Sequence, residues 1–191
     1  MSDEIAKVVK DFGADKVILL PLYPQFSTTT TGSSLTEWQS AALKVGLDAP
    51  TIAVCCYPQE PGFIASVVNA TRDAIVEASS SGNPRILFSA HGLPEKIVDA
   101  GDPYPEHVAM TARAVVEKLN SPNLDWIVCY QSRVGPLKWI GPSTEKVIKD
   151  EAKKKQIIIV VPVAFVSEHS ETLVELDIEY NKLAIENGSK E

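Results

Sequence analysis

Five short apolar runs, spaced along the chain with helical patterns between them, constrain its fold more than any other feature. They cover 16–21, 51–56, 85–90, 126–130 and 156–161. Each is too short for a helix and apolar on successive residues, the signature of a strand buried on both faces. Helical patterns occupy 34–45, 62–80, 105–119, 143–154 and 170–186, and a further helix begins almost at Met1. Pro105 suits a first helical turn and Ser143 suits a cap. Buried strands alternating with helices predict βαβ units, hence an α/β fold with parallel sheets flanked by helices. The turn clusters at 58–62 and 79–84 break the pattern before the helix at 62–80 and the third strand.

In open parallel sheets, ligands bind beyond the carboxyl ends of the strands. The segments in that position are 23–27, 91–94, 131–135 and 167–171. They hold two of the three histidines, His91 and His169, whereas His107 falls at a helix start and reads as a surface residue. Imidazole titrates near neutrality, so His91 can take a proton or bind a metal, or it can simply pin its loop. Glu168, Glu171, Glu175 and Glu179 are spaced by three, four and four, which on a helix aligns four carboxylates. Leu173, Leu176, Tyr180 and Leu183 supply the buried side of that helix. A solvated acidic face is the commoner meaning of such a row. The other meaning is a set of oxygen ligands that hands on a divalent ion, with His169 beside it.

Composition removes whole classes of function. The formal net charge of −7 argues against a protein that tracks phosphates along nucleic acid. No apolar run reaches the roughly 18 residues a membrane span requires, and the longest, 157–166, contains Pro162. No apolar secretion core follows Met1, so a signal peptide is not expected. Cys55, Cys56 and Cys129 are odd in number and form no Cys-x-x-Cys, which disfavours a disulfide framework or a zinc site. G-x-G-x-x-G, Walker A and G-x-S-x-G signatures are absent. The Ser/Thr-rich stretch 27–34 can cradle a phosphate or cap the helix after it. The capping reading is the commoner, and a nucleotide binder built on Thr28–Thr31 is remote.

The strand-end segments resemble the ferrochelatase family. The resemblance rests on Leu20-Pro-Leu-Tyr-Pro-Gln-Phe-Ser27 with Thr30-Thr-Gly-Ser-Ser34, and on Phe88-Ser-Ala-His-Gly-Leu-Pro94. It continues in Gly101-Asp-Pro-Tyr-Pro105, Tyr130-Gln-Ser-Arg-Val-Gly-Pro136 and Trp139-Ile-Gly-Pro142. The strongest segment is Val161-Pro-Val-Ala-Phe-Val-Ser-Glu-His-Ser-Glu-Thr-Leu-Val-Glu-Leu-Asp-Ile-Glu-Tyr180. The six segments come in one order, and the resemblance they carry covers nearly the whole chain.

That resemblance implies a chelatase-like fold of two Rossmann-like lobes, with residues 1–60 a remnant of the first lobe and 61–191 the second, short of its C-terminal end. It implies insertion of Fe²⁺ into protoporphyrin IX, with release of two protons, in haem biosynthesis. His91 and Glu171 match the family's catalytic and metal-binding pair, with His91 as base, metal ligand or both. Glu168, Glu175 and Glu179 match a path for metal or protons. Tyr23, Tyr104, Gln131, Ser132 and Trp139 match pocket motifs and are expected to bind substrate. Iron enters as substrate and no permanent cofactor is implied. Thr28 stands where cluster-bearing members place a cysteine, so no iron–sulfur cluster is expected. The implied partners are protoporphyrin IX and ferrous iron, with no nucleic acid. The implied setting is the cytoplasm, with peripheral contact at the inner membrane through apolar lips around the cleft. The motifs leave open insertion into coproporphyrin and an inactive fragment that only binds porphyrin or metal. They do not bear on oligomeric state.

Overall fold

The computed structural model describes residues 2–132, 135–168 and 170–189, with the side chain of Glu171 outside that description. The chain divides into two compact units, Met1–Tyr57 and Pro58–Glu191.

The first unit runs α1 (Ser2–Phe12), β1 (Val17–Leu19), a π-helical turn (Thr28–Gly32), α2 (Ser33–Val45) and β2 (Thr51–Ala53). β1 and β2 pair in parallel, with Ile18 opposite Ile52. Asp3 and Glu4 in the first turn of α1 and Lys10 in its last complement the helix dipole. Gly46 ends α2 in the left-handed region, at φ 64°, where a side chain costs energy. Ala6, Val17, Trp38 and Ala41 form the core between the helices and one face of this sheet. Both strands are shorter than the apolar runs that announced them, because Leu20 and Cys55 already lie outside the ladder. The stretch expected as a loop closes instead into a π-turn. The Gly32 N–H donates to the Ser27 carbonyl, five residues back, at 3.0 Å. Ser27 still caps it, its hydroxyl accepting from the Thr29 N–H.

The second unit runs α3 (Pro61–Ala78), β3 (Arg85–His91), α4 (Glu95–Asp99), α5 (Tyr104–Leu119), β4 (Asp125–Gln131), α6 (Thr144–Lys153), β5 (Ile158–Pro162), a π-helix (Glu171–Glu179) and α7 (Tyr180–Glu186). Its sheet is parallel in the order β4–β3–β5. The central strand explains the packing, because successive side chains point to opposite faces. Ile86, Phe88 and Ala90 enter the core shared with α3 and α5. Leu87 enters a second core with Cys129, Ile148 and Tyr180. Phe88 is 0% exposed and meets Trp126 edge to face at 5.8 Å.

Two differences from the sequence reading lie near the site. The short helix α4 carries no amphipathic period long enough to be read. The single α-helix expected over 170–186 is a π-helix followed by α7. In the π-helix the backbone closes on the fifth residue, as in the Tyr180 N–H to Glu175 carbonyl bond. Angular spacing therefore changes, and Leu173, expected on the buried side, is 48% exposed. Leu176, Tyr180 and Leu183 do pack inward.

Candidate functional site

The carboxyl ends of β3 and β4 build the site. His91 ends β3, in register with Gln131 at the end of β4. By the two-residue period His91 follows Leu87 and Ser89, on the sheet face that meets α6. The two strand ends are tied together by the Gly92 N–H, which donates to the Gln131 carbonyl at 2.8 Å. Beneath them the Ser89 hydroxyl donates to Gln131 Oε1 at 2.7 Å. Its single hydrogen is thereby committed, so the Thr144 hydroxyl, 3.1 Å away, donates to Ser89. This buried relay links the first turn of α6 to both strand ends and fixes Gln131, itself fully buried.

His91 Nδ1 lies 2.8 Å from the Gly92 carbonyl oxygen. A carbonyl can only accept, so Nδ1 carries the proton and Nε2 carries the lone pair of the neutral ring. That tautomer suits both a base and a metal ligand.

Ser132, just past β4, holds a left-handed backbone at φ 56°. Glu175 secures it. One carboxylate oxygen accepts from the Ser132 N–H at 3.0 Å, the other from its hydroxyl at 2.6 Å. The Tyr180 hydroxyl donates to the same carboxylate at 2.8 Å. Burial, followed by that hydrogen bond and charge, pushes the Tyr180 phenol well above its usual value, so it stays a donor. Tyr130 is pushed up to about 12, chiefly by burial.

Tyr130, Ser132 and Tyr180 border a cleft of about 300 Å³, whose lining also includes Gln131, Trp139, Ser143 and Glu145. Trp139 reaches it because its segment is stitched to the loop after β3. The Glu95 N–H donates to the Lys138 carbonyl at 2.9 Å, and the Ile140 N–H to the Leu93 carbonyl at 3.0 Å. An ion pair between Lys138 and Glu95 at 2.6 Å reinforces the stitch.

Of the residues singled out in the sequence, Gln131, Ser132 and Trp139 meet at this cleft, and His91 ends the neighbouring strand. Tyr104 sits in the core at 7% exposure, its N–H held by the buried Asp102 carboxylate. Tyr23 belongs to the first unit, in a half-exposed loop whose Pro24 carbonyl accepts from the Tyr57 N–H. Glu168 and Glu179 are exposed, and Glu175 turns inward to Ser132 and Tyr180. Glu171 opens the π-helix, while its side chain and the whole of His169 lie outside the described residues. Among the described residues, no three His, Cys, Asp or Glu side chains gather as a metal cluster. Sequence reasoning missed Tyr130, Ser143, Glu145 and Tyr180 as cleft residues. The cap position of Ser143 was legible, but its closeness to Tyr180 arises only from packing.

The Ferrochelatase family model matches residues 1–191. The ferrochelatase of Pelagibacter ubique (strain HTCC1062) is 50% identical over 190 residues, which are 99% of this chain and 54% of that protein. The ferrochelatase of Caulobacter vibrioides (strain NA1000 / CB15N) is 52% identical over 189 residues, 99% of this chain and 53% of that protein. That of Rickettsia bellii (strain OSU 85-389) is 52% identical over 182 residues, 95% of this chain and 49% of that protein. The chain thus spans about half the length of the curated relatives it matches.

Proposed function

The chain belongs to the ferrochelatase family, and from that premise we propose that its protein inserts Fe²⁺ into protoporphyrin IX, the metal replacing two pyrrole protons to give protohaem. The observation that supports this most is the tautomer of His91. With Nδ1–H held by the Gly92 carbonyl, the ring is oriented at the carboxyl end of the sheet and Nε2 is its basic nitrogen. Removing a pyrrole proton near neutrality requires such a base. Glu171 is the second member of the pair, accepting a proton or ligating the incoming iron. Glu168 and Glu179 are exposed carboxylates that can exchange water for the ion in stages. Gln131, Ser132 and Trp139 contact the porphyrin from the cleft, and Tyr23 and Tyr104 are kept as substrate-binding residues on the motifs they share with the family. Iron is substrate, and no resident cofactor is required.

Among the described residues no helix is long and apolar enough to cross a membrane. We place the protein in the cytoplasm, touching the inner membrane from that side.

The test is metal insertion by the intact protein, followed by the absorbance of the metalloporphyrin formed from protoporphyrin IX with Zn²⁺ or anaerobic Fe²⁺. His91→Ala is expected to lower turnover by about 10²-fold or more, the scale of a lost general base. Porphyrin affinity and thermal stability are expected to stay near wild type. Unchanged turnover in His91→Ala would remove the basis of this reading.

A further inference from the structure

Two adjacent thiols stand at the carboxyl end of β2, and nothing in the proposed reaction uses them. The Cys55 and Cys56 sulfur atoms are 3.0 Å apart. Cys55 is exposed and Cys56 half-buried. The dipeptide is an arch fixed at both feet. Before it, the Val54 N–H donates to the Leu19 carbonyl at 2.9 Å. After it, the Tyr57 N–H donates to the Pro24 carbonyl at 2.8 Å. The Tyr57 hydroxyl adds a bond to the Pro21 carbonyl at 2.8 Å. The arch therefore holds its sulfur atoms together without needing a chance encounter, and it is anchored on the loop that carries Tyr23.

We propose that Cys55 and Cys56 form a redox-sensitive dithiol that a peroxide closes into a vicinal disulfide. The first step takes place at the exposed sulfur. The Cys55 thiolate attacks one peroxide oxygen, the O–O bond breaks, and Cys55 sulfenic acid and hydroxide result. In the second step the Cys56 sulfur attacks the Cys55 sulfur, the S–O bond breaks, and the thiol proton leaves with hydroxide as water. Summed, two thiols and one hydrogen peroxide give one disulfide and two waters. The peroxide is reduced and the sulfur pair oxidised by two electrons. The division of labour follows the surroundings. The exposed Cys55 meets the peroxide first, and the half-buried Cys56, whose thiol is raised by burial first and by the Cys55 hydrogen bond next, is left in contact as the resolving thiol. A sulfenic acid with a thiol already in contact condenses before it can be oxidised further. A ring closed across one peptide bond is strained, so thiols reopen it readily and the modification is reversible. Closing it must reorient the peptide between two anchored N–H groups, and that disturbance passes directly to the 20–26 loop.

The experiment treats the intact protein with hydrogen peroxide, alkylates remaining thiols, and maps tryptic peptides by mass. Cleavage after Lys44 and Arg72 yields one peptide, 45–72, that holds both cysteines and excludes Cys129. The expected result is that this peptide loses two hydrogens and takes no alkyl group, and that dithiothreitol restores two alkylatable thiols. In Cys56→Ser, lacking the resolving thiol, Cys55 is expected to accumulate as a sulfenic acid that dimedone traps. Amide exchange in 20–26 is expected to rise on oxidation of the wild type and to stay unchanged in Cys55→Ser. Two alkylated thiols in 45–72 after peroxide has oxidised the methionines would overturn the proposal. A dimedone adduct persisting on wild-type Cys55, or a disulfide from either residue to Cys129, would overturn it as well.

Discussion

Glu175 commits both carboxylate oxygens to one neighbouring residue and then accepts a third bond from Tyr180. The reward is local. Ser132 is not a glycine, yet it must hold φ 56° to turn the chain away from β4 beside Gln131. An acidic residue expected from the family resemblance to be a step in a metal or proton path is thus a brace for Ser132 at the cleft. Glu175→Ala leaves the Ser132 N–H unpaired and is expected to destabilise the protein by about 2–4 kcal/mol. Glu175→Gln keeps the shape with weaker acceptance, and about half that loss is expected in chemical denaturation. Equal loss in the two variants would mean that charge, not shape, is decisive. Cys129 carries a different consequence. Burial raises its thiol from 9.0 to about 11. The unfolded chain then releases a proton that the folded chain retains. Stability is full below pH 9.0 and falls as pH rises to about 11. Cys129→Ala is expected to flatten this alkaline slope of unfolding free energy while lowering the neutral-pH value through its cavity.

At the scale of elements, the π-helix over Glu171–Glu179 is the part that most changes the site. Five-residue closure widens the turn, so residues three apart, such as Leu173 and Leu176, no longer share one face. Leu173 comes out to 48% exposure, and Leu176 packs on the core that includes Cys129 and Ile148. Leu176→Ala is expected to cost about 2 kcal/mol, and Leu173→Ala within about 0.5 kcal/mol, measured by denaturant unfolding. The reverse order would restore the α-helical face that the sequence spacing suggests. Elements whose period agrees with their geometry were legible. In α6, Ser143 caps the helix through the Lys146 N–H, and Val147, Ile148 and Ala152 are buried as their spacing predicts. The π-helices and α4 were not. A π-turn differs from an α-turn only in which carbonyl each N–H selects, and no residue type announces that choice.

Over the whole molecule, the two units differ in how thoroughly they bury their sheets. β3 has Ile86, Leu87 and Phe88 at 0% exposure, with helices on both faces. In the first unit Ile18 and Ile52 stand opposite each other in the ladder, and both are more than half exposed. Amide hydrogens of Leu87 and Phe88 are therefore expected to exchange at the rate of global unfolding. Those of β1 are expected to exchange faster, since opening its short ladder exposes little more apolar surface. Uniform exchange across both sheets would contradict this ordering. The amino-acid sequence already carried the α/β class, the five strands and the identity of the strand-end segments, because apolar period and turn chemistry are local properties. It also singled out His91, Gln131, Ser132 and Trp139. Folding brought Gln131, Ser132 and Trp139 to one cleft with Tyr180, took Tyr104 into the core, and turned Glu175 to face Ser132. Those outcomes depend on strand register and on which carbonyl each N–H reaches, and both are settled by packing between residues far apart in the chain.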